Sequence, residues 1–216
     1  MKYKLLIFDW DGTLADSAGM IVRAFQGAIE GLGLPARTDQ QIAELIGLGL
    51  NEALVRLYPE FDLAQLRALL ESYRAKWVNA GAGEADLFAG ALDAVRSLHG
   101  QGYGIAIATG KSRRGLQRSL DHHVDIGRLV AVSRCADETA SKPDPRMLRE
   151  IIEELRLAPT DAVMIGDTDY DMEMAARLGM PALGVTCGVH DGERLKRAGA
   201  IALLENVRDV PAWLGR

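Results

Sequence analysis

Short apolar segments recur along this 216-residue chain at Leu5–Phe8, Gly104–Ala108, Leu129–Val132, Ala162–Ile165 and Ala182–Val185, and helix-period segments separate most of them. Strands that alternate with helices pair in parallel, and their helices cover both faces of the sheet. A weaker run at Ala200–Leu204 is a candidate sixth strand. After Pro143, the residues Met147, Leu148, Ile151, Ile152 and Leu155 fall on one helical stripe, opposite Arg149, Glu150, Glu153 and Glu154. A helix starting near Asp169 is expected to close at Gly179, with Pro181 just beyond.

About ninety residues separate the first two strands, too many for a single crossover helix. From Ser17 to near Ala85 the pattern is helical throughout. Ile21, Phe25, Ile29 and Leu32 form one stripe, and Leu66, Leu69, Leu70, Tyr73 and Trp77 form another. Thr38 with Gln41 reads as a capping box for a helix between them. The expected organisation is a Rossmann-like α/β core over residues 1–16 and 87–216, interrupted by an all-helical cap over 17–86. The crossings fall near Ala15–Ser17 and Gly81–Gly90, where Gly81, Gly83 and Gly90 supply flexible backbone. An insertion that leaves and returns beside the first strand sits over that strand's carboxyl end, the side on which open α/β sheets bind ligands. A lid there can exclude water.

The first strand runs into Asp9-Trp10-Asp11-Gly12-Thr13. Carboxylates two residues apart on a strand point to one side, and Gly12 lets the backbone turn away without a Cβ penalty. A nucleophilic Asp beside a second that holds or releases a proton is what aspartyl-phosphate chemistry requires. Asp9 is the candidate nucleophile and Asp11 the candidate general acid and base. The bland alternative is a polar turn in which both residues only cap backbone amides. Three downstream elements weigh against it. Thr109 and Gly110 follow a strand and offer a hydroxyl and free amides to phosphate oxygens. Lys142, before Pro143, can neutralise a phosphate and the nucleophile. Asp167 ends the strand Ala162–Ile165 as a candidate metal ligand, and Asp171, one turn on, is placed to orient waters or Lys142. Asp169 is the expected helix cap.

Two carboxylates about 4 Å apart repel by about 4 kcal/mol at an effective dielectric of 20. Asp9, Asp11, Asp167 and Asp171 gathered without a cation would carry several such terms, so the pattern calls for Mg²⁺ beside Lys142.

The formal net charge of −5 disfavours a nucleic-acid partner. Cys135 and Cys187 are too few for a disulfide framework and are read as reduced, buried thiols. No apolar run approaches the ~20 residues that span a bilayer, and Asp9 ends the first apolar stretch far short of a signal-peptide core. A cytoplasmic protein with no membrane partner is expected, as monomer or homodimer. The basic stretch Lys111, Arg113, Arg114 and Arg118 reads as a solvated helix face, with substrate attraction by Lys111 as the minor alternative. His122 and His123 read as a surface helix end, Tyr73 and Trp77 as cap packing, and Gly47-Leu48-Gly49 as an uncharged lid loop.

Taken together, Asp9-x-Asp11-Gly12-Thr13, Thr109, Lys142-Pro143 and Gly166-Asp167-x-x-x-Asp171 resemble the four signature motifs of haloacid-dehalogenase-like hydrolases. With the helical insertion, the chain is similar to members with a type 1 cap, phosphoglycolate-phosphatase-like enzymes in particular. The resemblance implies Asp9 as nucleophile, Asp11 as acid/base, and a Mg²⁺ site formed by Asp9, the Asp11 main-chain carbonyl and Asp167. It also implies Thr109 and Gly110 on the phosphate, with Lys142 bridging. The chain departs from the pattern at Gly110, where many relatives carry Asn, at Cys187-Gly188 in place of Trp-Gly, and at the bulky Trp10.

The expected function is Mg²⁺-dependent hydrolysis of a small phosphomonoester, phosphoglycolate-like, through an aspartyl-phosphate. A phosphomutase or a pyrophosphatase on the same machinery is the alternative among enzymes. A non-enzymatic receiver-like phospho-acceptor is the alternative of another class; such a module lacks the insertion and carries its phosphorylated Asp on a middle strand.

Overall fold

The computed structural model describes residues 2–79 and 85–215, with Val78 and Asn79 as backbone only. Gly81 and Gly83, expected to loosen the second crossing, lie outside the described residues. The elements run β1 (Leu5–Phe8), α1 (Ala18–Gly31), α2 (Asp39–Ala43), α3 (Leu50–Leu57), α4 (Leu63–Asn79) and α5 (Ala91–Gly100). They continue through β2 (Gly104–Thr109), α6 (Arg113–His122), α7 (Val124–Gly127), β3 (Val130–Cys135) and α8 (Arg146–Glu154). The last are β4 (Ala162–Gly166), α9 (Asp169–Arg177), β5 (Ala182–Val185), α10 (Gly192–Arg197), β6 (Ala202–Leu204) and α11 (Val210–Leu214).

The six strands form one parallel sheet in the order β3-β2-β1-β4-β5-β6. Chain direction across the sheet reverses at β1, so the crevice for a ligand opens beyond the carboxyl ends of β1 and β4. Side chains of β1 alternate between two apolar layers. Leu6 and Phe8 join Ala91, Val95 and Leu98 of α5 on one face. Leu5 and Ile7 join Met147, Leu148, Ile151 and Ile152 of α8 and Met172 of α9 on the other. Burial on both faces is why the inner strands read as continuous apolar runs. The α8 stripe is buried as its periodicity predicts. β3 runs three residues further than expected, to Cys135. It is an edge strand, where polar Ser133 and Arg134 are tolerated, and Arg134 pairs with Glu150 at 2.8 Å and Glu154 at 2.6 Å.

A third apolar cluster gathers around α1–α4, with Ile21, Phe25, Ile29, Ile42, Leu54 and Leu69 among its buried members. The capping box forms: Thr38 Oγ1 accepts from the Gln41 N–H at 3.1 Å, and Gln41 Oε1 accepts from the Thr38 N–H at 2.8 Å. Where the chain passes to and from these helices, Ala15 bridges antiparallel to Leu87. The Asp16 N–H donates to the Asp86 carbonyl, and the Phe88 N–H to the Leu14 carbonyl, both at 2.9 Å. The two crossings therefore hold one another. Among the described residues no helix is long and apolar enough to cross a membrane.

Ile151 is fully buried between α8 and the sheet. Ile151→Ala should lower the urea-unfolding free energy by about 2–5 kcal/mol, with the m-value unchanged.

Candidate active site

Asp9 leaves the end of β1, and its N–H donates to the Ile165 carbonyl of β4 at 2.9 Å. Its Oδ1 accepts from the Trp10 N–H at 2.7 Å and lies 2.8 Å from Lys142 Nζ. Its Oδ2 is buried and has no hydrogen-bond partner among the described residues. Lys142 is fully buried and reaches a second carboxylate, Asp171 Oδ1, at 2.7 Å. Asp167, at the end of β4, is held at both oxygens: Thr13 Oγ1 donates to Oδ1 at 2.8 Å and the Val189 N–H to Oδ2 at 3.0 Å. Oxygens of Asp9, Asp167 and Asp171 lie within 4.8 Å of one another.

Missing side chains make room for these carboxylates. A Cβ on Gly12 or on Gly188 would collide with the Asp167 carboxylate, and one on Gly166 would collide with that of Asp171. Gly12 also sits at φ +80°, where L side chains are strained. Cys187-Gly188 thus belongs to the cradle of Asp167; a Cys187 Sγ contact to the Gly12 carbonyl at 3.7 Å closes it.

Burial raises Asp9 well above the usual carboxylate range. Lys142 opposes this, while the charges of Asp171 and Asp167 add to it. Burial, with Asp171 beside it, brings Asp167 up to about 6. Burial by itself would lower the Lys142 ammonium, yet Asp171 and Asp9 outweigh it and hold Lys142 above its ordinary value. Three buried carboxylates against one buried ammonium leave excess negative charge, and one carboxylate oxygen is orphaned. A hard, oxygen-seeking divalent cation suits that donor set.

The structure revises several expectations. The Asp11 carboxylate does not join the other three: it lies beyond β1, just before the turn at Gly12, and Oδ1 accepts from Ser17 Oγ at 2.6 Å and from Lys111 Nζ at 2.9 Å. The acidic group is therefore three carboxylates, not four. Lys111 is not on a solvated face; it is nearly buried between Asp11 and the Trp77 ring, 5.2 Å from the ring centroid. Arg113 is likewise occupied, by Glu138 at 2.7 Å and Ser133 at 2.8 Å. Thr168, not Asp169, caps α9, because Thr168 has the extended backbone of an N-cap and exchanges hydrogen bonds with Asp171. Asp169 faces Arg194 at 2.6 Å and His190 at 3.0 Å instead, and against the cost of burial these bring it down to about 2. Trp10 packs in the core against the His123 ring.

The cap is docked onto this site. Arg194 also binds Glu44, which follows α2, and Tyr170 Oη donates to the Glu44 carbonyl at 2.9 Å. The Gly49 N–H donates to Ser141 Oγ at 2.8 Å. A Cβ on Gly110 would strike the carbonyl oxygens of Leu48 and Gly47. The position where relatives carry Asn is thus filled here by the backbone of the cap loop. Sequence reading assigned no role to Thr13, Ser17, Ser141 or Arg194. Thr13 and Ser17 adjoin the Asp9 motif and could have been suspected; the other two are far away in sequence.

Thr109 is fully buried, and it lines, with Asp9, Asp11, Gly110 and Lys111, the floor of a cavity beneath the cap. A ligand there would meet the Asp9 carboxylate, the Asp11–Lys111 pair and the Thr109 hydroxyl at the switch point of the sheet. That arrangement suits transfer of a charged group to a carboxylate.

Known proteins resemble this chain along most of its length. Residues 6–185 match the family model described as haloacid dehalogenase-like hydrolase. The chain is 32% identical over 211 residues to "Probable phosphatase IndB" of Dickeya dadantii, covering 95% of this chain and 91% of that protein. It is 28% identical over 203 residues to "Phosphoglycolate phosphatase" of Vibrio vulnificus, covering 89% and 87%. The crystal structure of a hydrolase from Pseudomonas syringae superposes with a TM-score of 0.88 at 25% identity, covering 99% and 98%. The chain belongs to the haloacid dehalogenase-like hydrolase family. It is an enzyme of the α/β, Rossmann-like type.

Gly110→Ala should force the 47–48 loop off the core, at a cost of about 1–3 kcal/mol in thermal or urea unfolding, and should raise KM more than it lowers kcat. Burial also pushes both thiols, Cys135 and Cys187, up to about 12, the charge of Asp167 adding at Cys187 while Arg113 opposes at Cys135. Both stay protonated at pH 8, so a thiol-exchange reagent should react with neither in the native protein and with both in urea.

Proposed function

We propose that the enzyme is a Mg²⁺-dependent phosphatase that hydrolyses a small-molecule phosphate monoester by way of a phosphorylated Asp9. The observation that carries this reading is the buried, unpartnered Oδ2 of Asp9 beside Lys142, Asp167 and Asp171. The names of the Dickeya and Vibrio relatives support it. Asp9, Asp167 and the Asp11 main-chain carbonyl would hold the cation, which when bound offsets the negative charge gathered on phosphate and carboxylates. Asp171 fixes Lys142, and Lys142 draws charge from both Asp9 and the phosphate.

In the first half-reaction Asp9 Oδ2 forms a bond to phosphorus as the bond from phosphorus to the ester oxygen breaks. Asp11, whose carboxylate stands apart from the three-carboxylate group, gives its proton to the departing alkoxide. In the second, Asp11 takes a proton from a water whose oxygen attacks phosphorus. The Asp9–phosphorus bond breaks, and inorganic phosphate leaves. Thr109 and the Gly110 amide hold the phosphate oxygens throughout. Ser17 and Lys111 fix the Asp11 carboxylate in line with this exchange. The division into a core of 1–16 and 87–216 and a cap of 17–86 is part of the same reading, supported by the paired crossings and the separate apolar cluster of the cap. So is residence in the cytoplasm, where both thiols stay reduced.

Released inorganic phosphate, with no phosphorylated isomer of the substrate, distinguishes this activity from a mutase. Asp11→Asn should reduce kcat by about 10²–10⁴-fold, and Asp9→Asn should remove turnover while leaving the urea-unfolding transition cooperative. Dialysis against a chelator should abolish phosphate release, and added Mg²⁺ should restore it. Full activity of Asp9→Asn, or after chelation, would refute the assignment.

A further inference from the structure

A cavity of about 340 Å³ opens on Asp9, Asp11 and Thr109 and extends between α1, α3 and α4 of the cap. That is the size of pockets that enclose ligands of drug-like dimensions, which lie in clefts of about 300–1,000 Å³. Its cap-side wall is hydrocarbon, with Ile21, Phe25, Ile46, Leu57, Tyr73 and Trp77 prominent in it. The aromatic rings form a row: Phe25 and Tyr73 have centroids 4.4 Å apart, Tyr73 and Trp77 6.2 Å, each pair tilted by 35°. Cations also line it. Lys111 is bound to Asp11 and covers the Trp77 ring, and Arg74 and Arg114 are exposed. Arg118, the remaining lining cation, lies within electrostatic reach of Tyr73.

A two-carbon acid such as the glycolate part of phosphoglycolate would leave most of this volume empty. A flat apolar group gains from every wall atom it covers. Offset or tilted rings are the arrangement in which an aromatic ligand packs best. We propose that the alcohol carried on the phosphate is a ring-bearing group. It lies against Phe25, Tyr73 and Trp77 while its phosphate reaches Asp9. The substrate class is then phosphate monoesters of ring-bearing alcohols. The proposal rests on the phosphatase reading and replaces the phosphoglycolate-like alcohol within it.

The test compares kcat/KM for benzyl phosphate and phosphoglycolate in the presence of Mg²⁺, read as released phosphate. Both esters lose a primary alkoxide, so leaving-group chemistry does not by itself favour the ring. Benzyl phosphate should be favoured at least tenfold. Ala53→Phe, which adds a ring to the cavity lining, should cut that preference at least tenfold through KM. Trp77→Ala, at a half-buried position, should weaken it in the same direction. Circular dichroism checks that each variant is folded. Equal or better use of phosphoglycolate by the unaltered enzyme overturns the substrate class and leaves the phosphatase reading intact. A preference that neither folded variant moves overturns the placement of the ring. Hydrolysis of neither ester, nor of acetyl phosphate, overturns both readings together.

Discussion

A fully buried ammonium, Lys142 Nζ, sits between the carboxylates of Asp9 and Asp171, at 2.8 and 2.7 Å. Charges withdrawn from water are costly, and an interior can keep them only when each finds a close partner. Here Lys142 serves two carboxylates and a third, Asp167, stands beside them, so the balance is left negative. The elements of the core meet around that cluster: β1 delivers Asp9, β4 delivers Asp167, α9 delivers Asp171, and the segment before α8 delivers Lys142. Glycines at 12, 166 and 188 admit the carboxylates where any side chain would collide with them. The excess negative charge is also why a divalent cation is the natural completion of the site.

The cap answers to a different constraint. Its own apolar cluster draws α1–α4 together, and its contacts with the core are mostly polar, with Glu44 on Arg194, Gly49 on Ser141 and the carbonyls of the 47–48 loop over Gly110, alongside apolar packing of Val189 and Met20 across the seam. Polar contacts at a partly exposed junction are individually weak and exchangeable with water. The paired crossings at 14–16 and 86–88 keep both passages of the chain beside the Asp9 turn.

Much of this was legible in the chain because the physics that set it is local. The inner strands are apolar without interruption since both sides of each are covered, and the α8 stripe repeats at helical spacing since one side faces the sheet. The Asp9 turn, Thr109, Lys142 and Asp167 announce themselves by standing at strand ends or before a helix. The edge strand β3 was read short because polar Ser133 and Arg134 interrupt its apolar run, and an edge imposes no apolar pattern at those positions.

What the sequence by itself determined is the α/β architecture, the helical insertion and the residue types that carry charge at the strand ends, because periodicity and strand-end position are properties of consecutive residues. Which charges meet was decided only by tertiary structure. Asp11 and Asp9 are two residues apart, yet their carboxylates find different partners, Asp11 a lysine 100 positions away. Thr168 took the cap because Arg194 and His190, both distant in sequence, drew Asp169 away. The meaning of Gly110 was hidden for the same reason: the atoms that exclude a side chain there belong to a loop some sixty residues earlier, brought over it only when the insertion closes on the core.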